Sequence, residues 1–215
     1  HRLTEAEREQ GVQSFTDFPA LASELTDGSV EIETIVRFID RPLGTLTLDA
    51  ERPRTFWPSP DDCREELNQF APAGRCDSLF VYWPQHDFAA ETAIPSRGWG
   101  LGMGASAWSN DATYATVANA PRAAWEMPRS GEVWLHEWLH GVCAQYSRRG
   151  VPMPDGDADG AERHGYVRSA ETGWCDYYCD LMKGCVLEAG QRKGIPLTAW
   201  NALPFERAAG RARPV

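Results

Sequence analysis

The sequence predicts an α+β fold, and three observations carry that prediction. A capped helical pattern opens the chain from Thr4 to about Glu24. Strand-sized apolar runs follow between Val30 and Val117. A second long helical pattern runs from Gly131 to about Arg148 and gives way to a remainder of loops and short helices. The long helix closes an N-terminal subdomain, residues 1–150, and a smaller, mostly helical and loop C-terminal subdomain follows, residues 151–215.

Each element has a local reason. Thr4 with Glu7 three residues on is a capping-box pattern. Asp27-Gly28 makes a turn, and Val30–Ile39 alternates apolar and charged residues as a half-buried strand does. Gly44–Leu48 is a short partner strand. Pro58-Ser59-Pro60 is a break, after which Asp61 starts a helix to about Phe70. Asp77–Trp83 is the most apolar short run and reads as a central strand. Pro84–Asn110 is a long loop rich in Gly, Trp and Ser, and loops of that length are usually functional. Ala112–Val117 is a further strand. Ser130 caps the second long helix, which Gly150 and Pro152 end. Ala170–Met182 is helical again, and a short helix starts near Leu197.

A net charge of −10 disfavours nucleic acid and anionic membranes as partners. No run is long enough to span a bilayer. The chain opens without a signal-peptide pattern, so it reads as mature or cytosolic. Six scattered cysteines favour the first, an oxidising compartment with about three disulfides, Cys63–Cys76 foremost among them. The expected state is a secreted monomer.

The strongest chemical signal is His136-Glu137-Trp138-Leu139-His140. On a helix, residues four apart lie about 40° apart around the axis, so both imidazoles share one face. Two such imidazoles can hold one tetrahedral zinc ion. Glu137, beside that face, can reach a metal-bound water, take its proton and pass it to a leaving amine. Val133, Leu135, Leu139 and Val142 supply an apolar face, which makes a chance match on a surface helix the weaker reading.

With this motif and the element order before it, the sequence resembles the zincin metallopeptidases. The resemblance implies a zinc-dependent endopeptidase acting on peptide or protein substrates, with Glu137 as general base. It also implies that the strand Ala112–Val117 is an edge strand that binds extended substrate by strand addition. Cys143 and Tyr146 stand where the metzincin pattern requires Gly and His. The Asn-Glu-x-x-x-Asp helix of the thermolysin type is absent as well, so no family within the superfamily is assigned. By the same resemblance His164, in the loop after the motif helix and followed by Gly165, becomes the third zinc ligand. Asp176 and Asp180 are its rivals, with Glu171, Asp157 and Glu162 behind them. His86 and His1 are the remaining histidines. Tyr166 is a candidate donor to the oxyanion, with Tyr177 and Tyr178 as alternatives.

Asp155-Gly-Asp157-Ala-Asp159-Gly160 matches the first half of a calcium loop, although the twelfth position is Tyr166 rather than Glu. Calcium held by Asp155, Asp157 and Asp159 is thus a second expected cation, competing with a solvated acidic turn. Among nine tryptophans, Trp83, Trp99, Trp108, Trp134 and Trp138 are expected to serve the core or a substrate platform. The alternative to an enzyme is a catalytically silent zincin-like domain that binds protein or glycan. The intact Glu137 argues against it.

Overall fold

A computed structural model describes residues 2–50, 52–96, 107–120, 125 and 127–200. It is mixed α+β, with helices and four small sheets among the described residues. Two compact units emerge, and they do not divide at residue 150. Among the described residues one comprises 2–12 and Val36–Trp125; the other comprises Gln13–Ile35 and 127–200. The motif helix therefore folds with the segment that follows it rather than with the strands that precede it. Trp99 and His1 lie outside the described residues. No described helix is long and apolar enough to cross a membrane.

Helix α1 (Glu5–Leu25) begins at the expected capping box. The Thr4 backbone N–H donates to Glu7 Oε2 at 2.6 Å, and the Glu7 N–H donates to Thr4 Oγ1 at 3.3 Å. Its residues 5–12 belong to the first unit and 13–25 to the second.

In the first unit, β1 (Thr47–Leu48) pairs antiparallel with β2 (Phe56–Trp57). Helix α2 (Arg64–Phe70) follows. Strand β3 (Ser78–Trp83) pairs parallel with β7 (Ala112–Ala118) along its length, and β6 (Ala107–Ser109) pairs antiparallel with the start of β7. The short strands β4 (His86–Asp87) and β5 (Thr92–Ala93) form a separate hairpin. Strand β7 is thus the middle strand, buried throughout. The expectation of an edge strand is corrected: β3 pairs along one side of β7, and β6 pairs with Ala112–Tyr114 on the other. Leu67 of α2, Leu79 of β3 and Tyr114 of β7 meet in one apolar cluster with Cys63, and the Tyr114 hydroxyl donates to the Pro58 carbonyl at 2.7 Å.

The expected strand Val30–Ile39 is a second correction. Val30 is buried and the residues after it alternate in exposure as far as Arg37, yet the segment joins no sheet. Alternation reports which side of an extended chain is covered; it does not supply a neighbour for the backbone.

Asp62 organises the turn before α2. Its carboxylate accepts from the Ser59 and Thr47 backbone N–H groups at 2.8 and 3.0 Å, and from the hydroxyls of Thr45, Thr47 and Ser59. Burial alone would raise its pKa, but these donors together hold it below the ordinary aspartate value. Because the folded pKa is depressed, the stability contributed is present above about pH 3.9 and lost as pH falls through the lower folded value. Asp62→Asn is expected to cost about 2 kcal/mol at pH 7. Urea unfolding at pH 7 and at pH 3 checks this: the difference between the two proteins should shrink in acid.

The second unit is built on α3 (Glu132–Arg148), which α4 (Cys175–Met182) accompanies. A hairpin of β8 (Val186–Glu188) and β9 (Gln191–Lys193) follows, then the short α5 (Leu197–Trp200). Helix α3 is buried almost all round, including Leu135, Leu139, Val142 and Tyr146. Phe18 of α1 meets Trp138 edge-on at 5.5 Å, and Trp138 stacks on Trp200 at 5.7 Å. Ser130 does not cap this helix. Its hydroxyl donates to Asp17, and Gly131 takes the cap position at φ +88°. A Cβ on Gly131 would fall 2.7 Å from the backbone of Phe18, so the close approach of α1 requires glycine there. The C-terminal end matches expectation: Gly150 is left-handed, and the Val151 N–H returns to the Tyr146 carbonyl at 3.0 Å.

All six cysteines are free thiols in the structure, against the expectation of about three disulfides. Cys63 and Cys76, the expected pair, border the same apolar cluster. Burial pushes the Cys175 thiol up to about 12 and raises Cys143 as well, the behaviour of inert buried thiols.

Candidate metal centre

His136, Glu137 and His140 lie on the second and third turns of α3. Among the described residues they form the one group of three His, Cys, Asp or Glu side chains whose potential ligand atoms all fall within 4.8 Å of one another. The two Nε2 atoms stand 3.3 Å apart. Two nitrogens each about 2.0–2.1 Å from one tetrahedral zinc would stand about 3.3–3.4 Å apart, so the pair fits that ion. Glu137 is almost fully buried, with Oε1 3.6 Å from His136 Nε2.

Both rings are held from behind. His140 Nδ1 is 2.6 Å from Asp157 Oδ1, and His136 Nδ1 is 2.9 Å from the Tyr178 hydroxyl on α4. A carboxylate can only accept, so His140 keeps a proton on Nδ1, and loss of its other proton leaves the Nε2 lone pair facing forward. This partnership is common behind metal-binding histidines.

A third carboxylate faces the same two nitrogens. Asp159 Oδ1 is 3.5 Å from His136 Nε2, and its Oδ2 is 3.8 Å from His140 Nε2. Asp157 and Asp159 belong to one turn of 3-10 helix, Asp157–Asp159, so alternate residues of a single turn serve the back and the front of the pair.

Several expected site residues stand elsewhere. His164 is not brought to the group. Its Nε2 lies 2.9 Å from the Asp155 carbonyl oxygen and 3.6 Å from Glu188 Oε2, and its ring stacks on Tyr177, so it braces the acidic loop instead. Asp176 is exposed, and Asp180 accepts the Tyr166 hydroxyl at 2.6 Å. That bond engages the rival ligand Asp180 and the oxyanion candidate Tyr166 with each other. The three carboxylates expected to share calcium have different partners here. Asp155 pairs with Arg163 at 2.9 Å, Asp157 with His140, and Asp159 faces the histidine pair. His86 lies in β4, where its ring stacks on Phe88.

The electrostatics follow from burial and from this ring of acids. Burial, with His140 alongside, pushes the His136 imidazole down to about 3. Burial also opposes charge on His140, but the hydrogen bond and charge of Asp157, aided by Glu137 and Asp159, outweigh it and push His140 up to about 9. Burial pushes the Glu137 carboxyl up to about 8 against the attraction of His140, and Asp159 and Asp157 add to the rise. A divalent cation accepting both Nε2 lone pairs would replace the imidazolium proton and relieve the crowding of acids.

Sequence reasoning placed Asp157 and Asp159 in a calcium loop, with Asp157 also a lesser rival for zinc, and kept Tyr178 as an alternative oxyanion donor; it did not foresee that all three would face the histidine pair. The available signal was the Asp-x-Asp spacing on a loop just past a His-Glu-x-x-His helix. Comparison of the chain with protein-family models, with curated proteins and with solved structures finds no match. Fold and site together define an α+β protein whose His136–Glu137–His140 triad is compatible with a zincin motif.

Proposed function

We propose that this protein is a zinc-dependent endopeptidase in which His136, His140 and Asp159 hold the metal and Glu137 is the general base. The observation that carries the reading is the 3.3 Å separation of two Nε2 atoms whose Nδ1 atoms are both engaged, with the Glu137 carboxyl beside them. When bound, zinc supplies Lewis acidity, which lowers the pKa of a coordinated water towards about 7 and polarises a carbonyl. Asp157 and Tyr178 keep the two rings turned to the front. Glu137 takes a proton from the attacking water as the water oxygen bonds to the carbonyl carbon. It then delivers that proton to the amide nitrogen as the carbon–nitrogen bond breaks. Burial suits Glu137 to this, because a carboxylate shielded from bulk solvent is a stronger base. The choice of peptides as substrates rests on the zincin resemblance of the motif.

Metal analysis of purified protein is expected to give one zinc per chain. Cleavage of an unstructured polypeptide such as casein should stop with a chelator and return with added zinc. Protein that binds no zinc and cleaves nothing overturns the proposal.

A further inference from the structure

The stripe that carries His136 and His140 begins one turn earlier with Glu132, an acid only 3 % exposed. An acid at so buried a position is costly unless it is fully partnered. Glu132 Oε1 accepts the backbone N–H of Trp174 at 2.8 Å, while Oε2 has no hydrogen-bond partner among the described residues. Trp174 is the residue before the first turn of α4, so the carboxyl sits where a helix presents its unpaired N–H groups. It also occupies side-chain space at the preceding residue. A Cβ on Gly173 would lie 2.0 Å from Glu132 Oε2, and Gly173 has φ +63°.

The same offset recurs one turn later in both helices. Glu132 meets residue 174 and His136 meets Tyr178, each pair 42 residues apart. Helices α3 and α4 therefore advance together in the same sense here. The contact at Glu132 sets the register that the contact at His136 uses. For His136 to offer a lone pair at Nε2, its Nδ1 must carry the proton and the Tyr178 oxygen must accept it.

We propose that Glu132 is a positioning residue for the metal centre, clamping the start of α4 to α3 in the register that delivers the Tyr178 hydroxyl to His136 Nδ1. The proposal rests on His136 being a metal ligand.

Zinc dissociation constants, measured by chelator competition, and the visible spectrum of cobalt-loaded protein test it in the full chain. Tyr178→Phe and Glu132→Ala are each expected to weaken zinc binding about 10–100-fold, the usual cost of losing such a partner. Their double variant should be no weaker than the worse single one, because the two act in series. Glu132→Gln retains an acceptor for the Trp174 N–H and is expected to keep binding within about threefold of the parent. Should Glu132→Ala not fold, Gly173→Ala carries the test. Its new methyl displaces the Glu132 carboxyl, and it is expected to weaken zinc about tenfold or more.

Folded Glu132→Ala or Gly173→Ala protein with parental zinc affinity and an unchanged cobalt spectrum overturns the proposal. So does a double variant in which the two losses multiply. Parental protein that binds neither zinc nor cobalt overturns the metal centre itself, which distinguishes that failure from this one.

Discussion

Glu137→Gln is expected to reduce peptide hydrolysis by about 10²–10⁴-fold, the range that a positioned general base contributes, while one zinc per chain is retained. The substitution preserves shape, which matters because the Glu137 side chain is only 4 % exposed. It leaves both imidazoles their Nδ1 partners, Asp157 and Tyr178. An amide cannot take up a proton from water, so the loss should fall on kcat rather than on metal content. Steady-state rates with metal analysis of the same sample check it. Hydrolysis within tenfold of the parent, with zinc present, would remove Glu137 from the reaction.

The second large effect separates the acid and the histidine that compete to complete the proposed metal centre, Asp159 and His164. Asp159→Ala is expected to weaken zinc binding more than about 100-fold, beyond the usual cost of losing a residue that merely supports a ligand. His164→Ala is expected to weaken it by no more than about tenfold, or 1.4 kcal/mol. The contrast follows from placement. The Asp159 carboxylate spans both Nε2 atoms at 3.5 and 3.8 Å, whereas His164 Nε2 is spent on the Asp155 carbonyl. Chelator competition on the two variants decides it, and the reverse ranking would return His164 to the centre.

What the sequence revealed and what it hid divide along physical lines. The His136–His140 pair was legible because helical geometry alone puts residues four apart on one face, and α3 has the predicted length. The Thr4–Glu7 cap and strand β3 were legible for the same reason, since each depends on neighbours close in the chain. Asp159 was not, because it sits on an irregular turn where no period sets side-chain direction. Asp157, at φ +37°, turns its carboxyl to His140 in a way spacing does not encode. The central place of β7 and the unpaired Val30–Ile39 segment depend on which strands meet, a long-range fact. The cap of α3 was hidden because Gly131 is dictated by Phe18, a residue more than one hundred positions earlier. The β8–β9 hairpin was missed because its turn places Ala189, a residue without turn preference, at φ +51°.

The turn carrying Asp157 and Asp159 has a consequence for recognising distant kin. Its two acids address different nitrogens, so an insertion or deletion between them would swing one off its target. The interval is therefore more informative than the surrounding letters: 17 residues from the second histidine to the first acid, then a single residue before the next. Searching translated genomes for that interval, rather than for overall similarity, is the direct way to find chains built on the same plan.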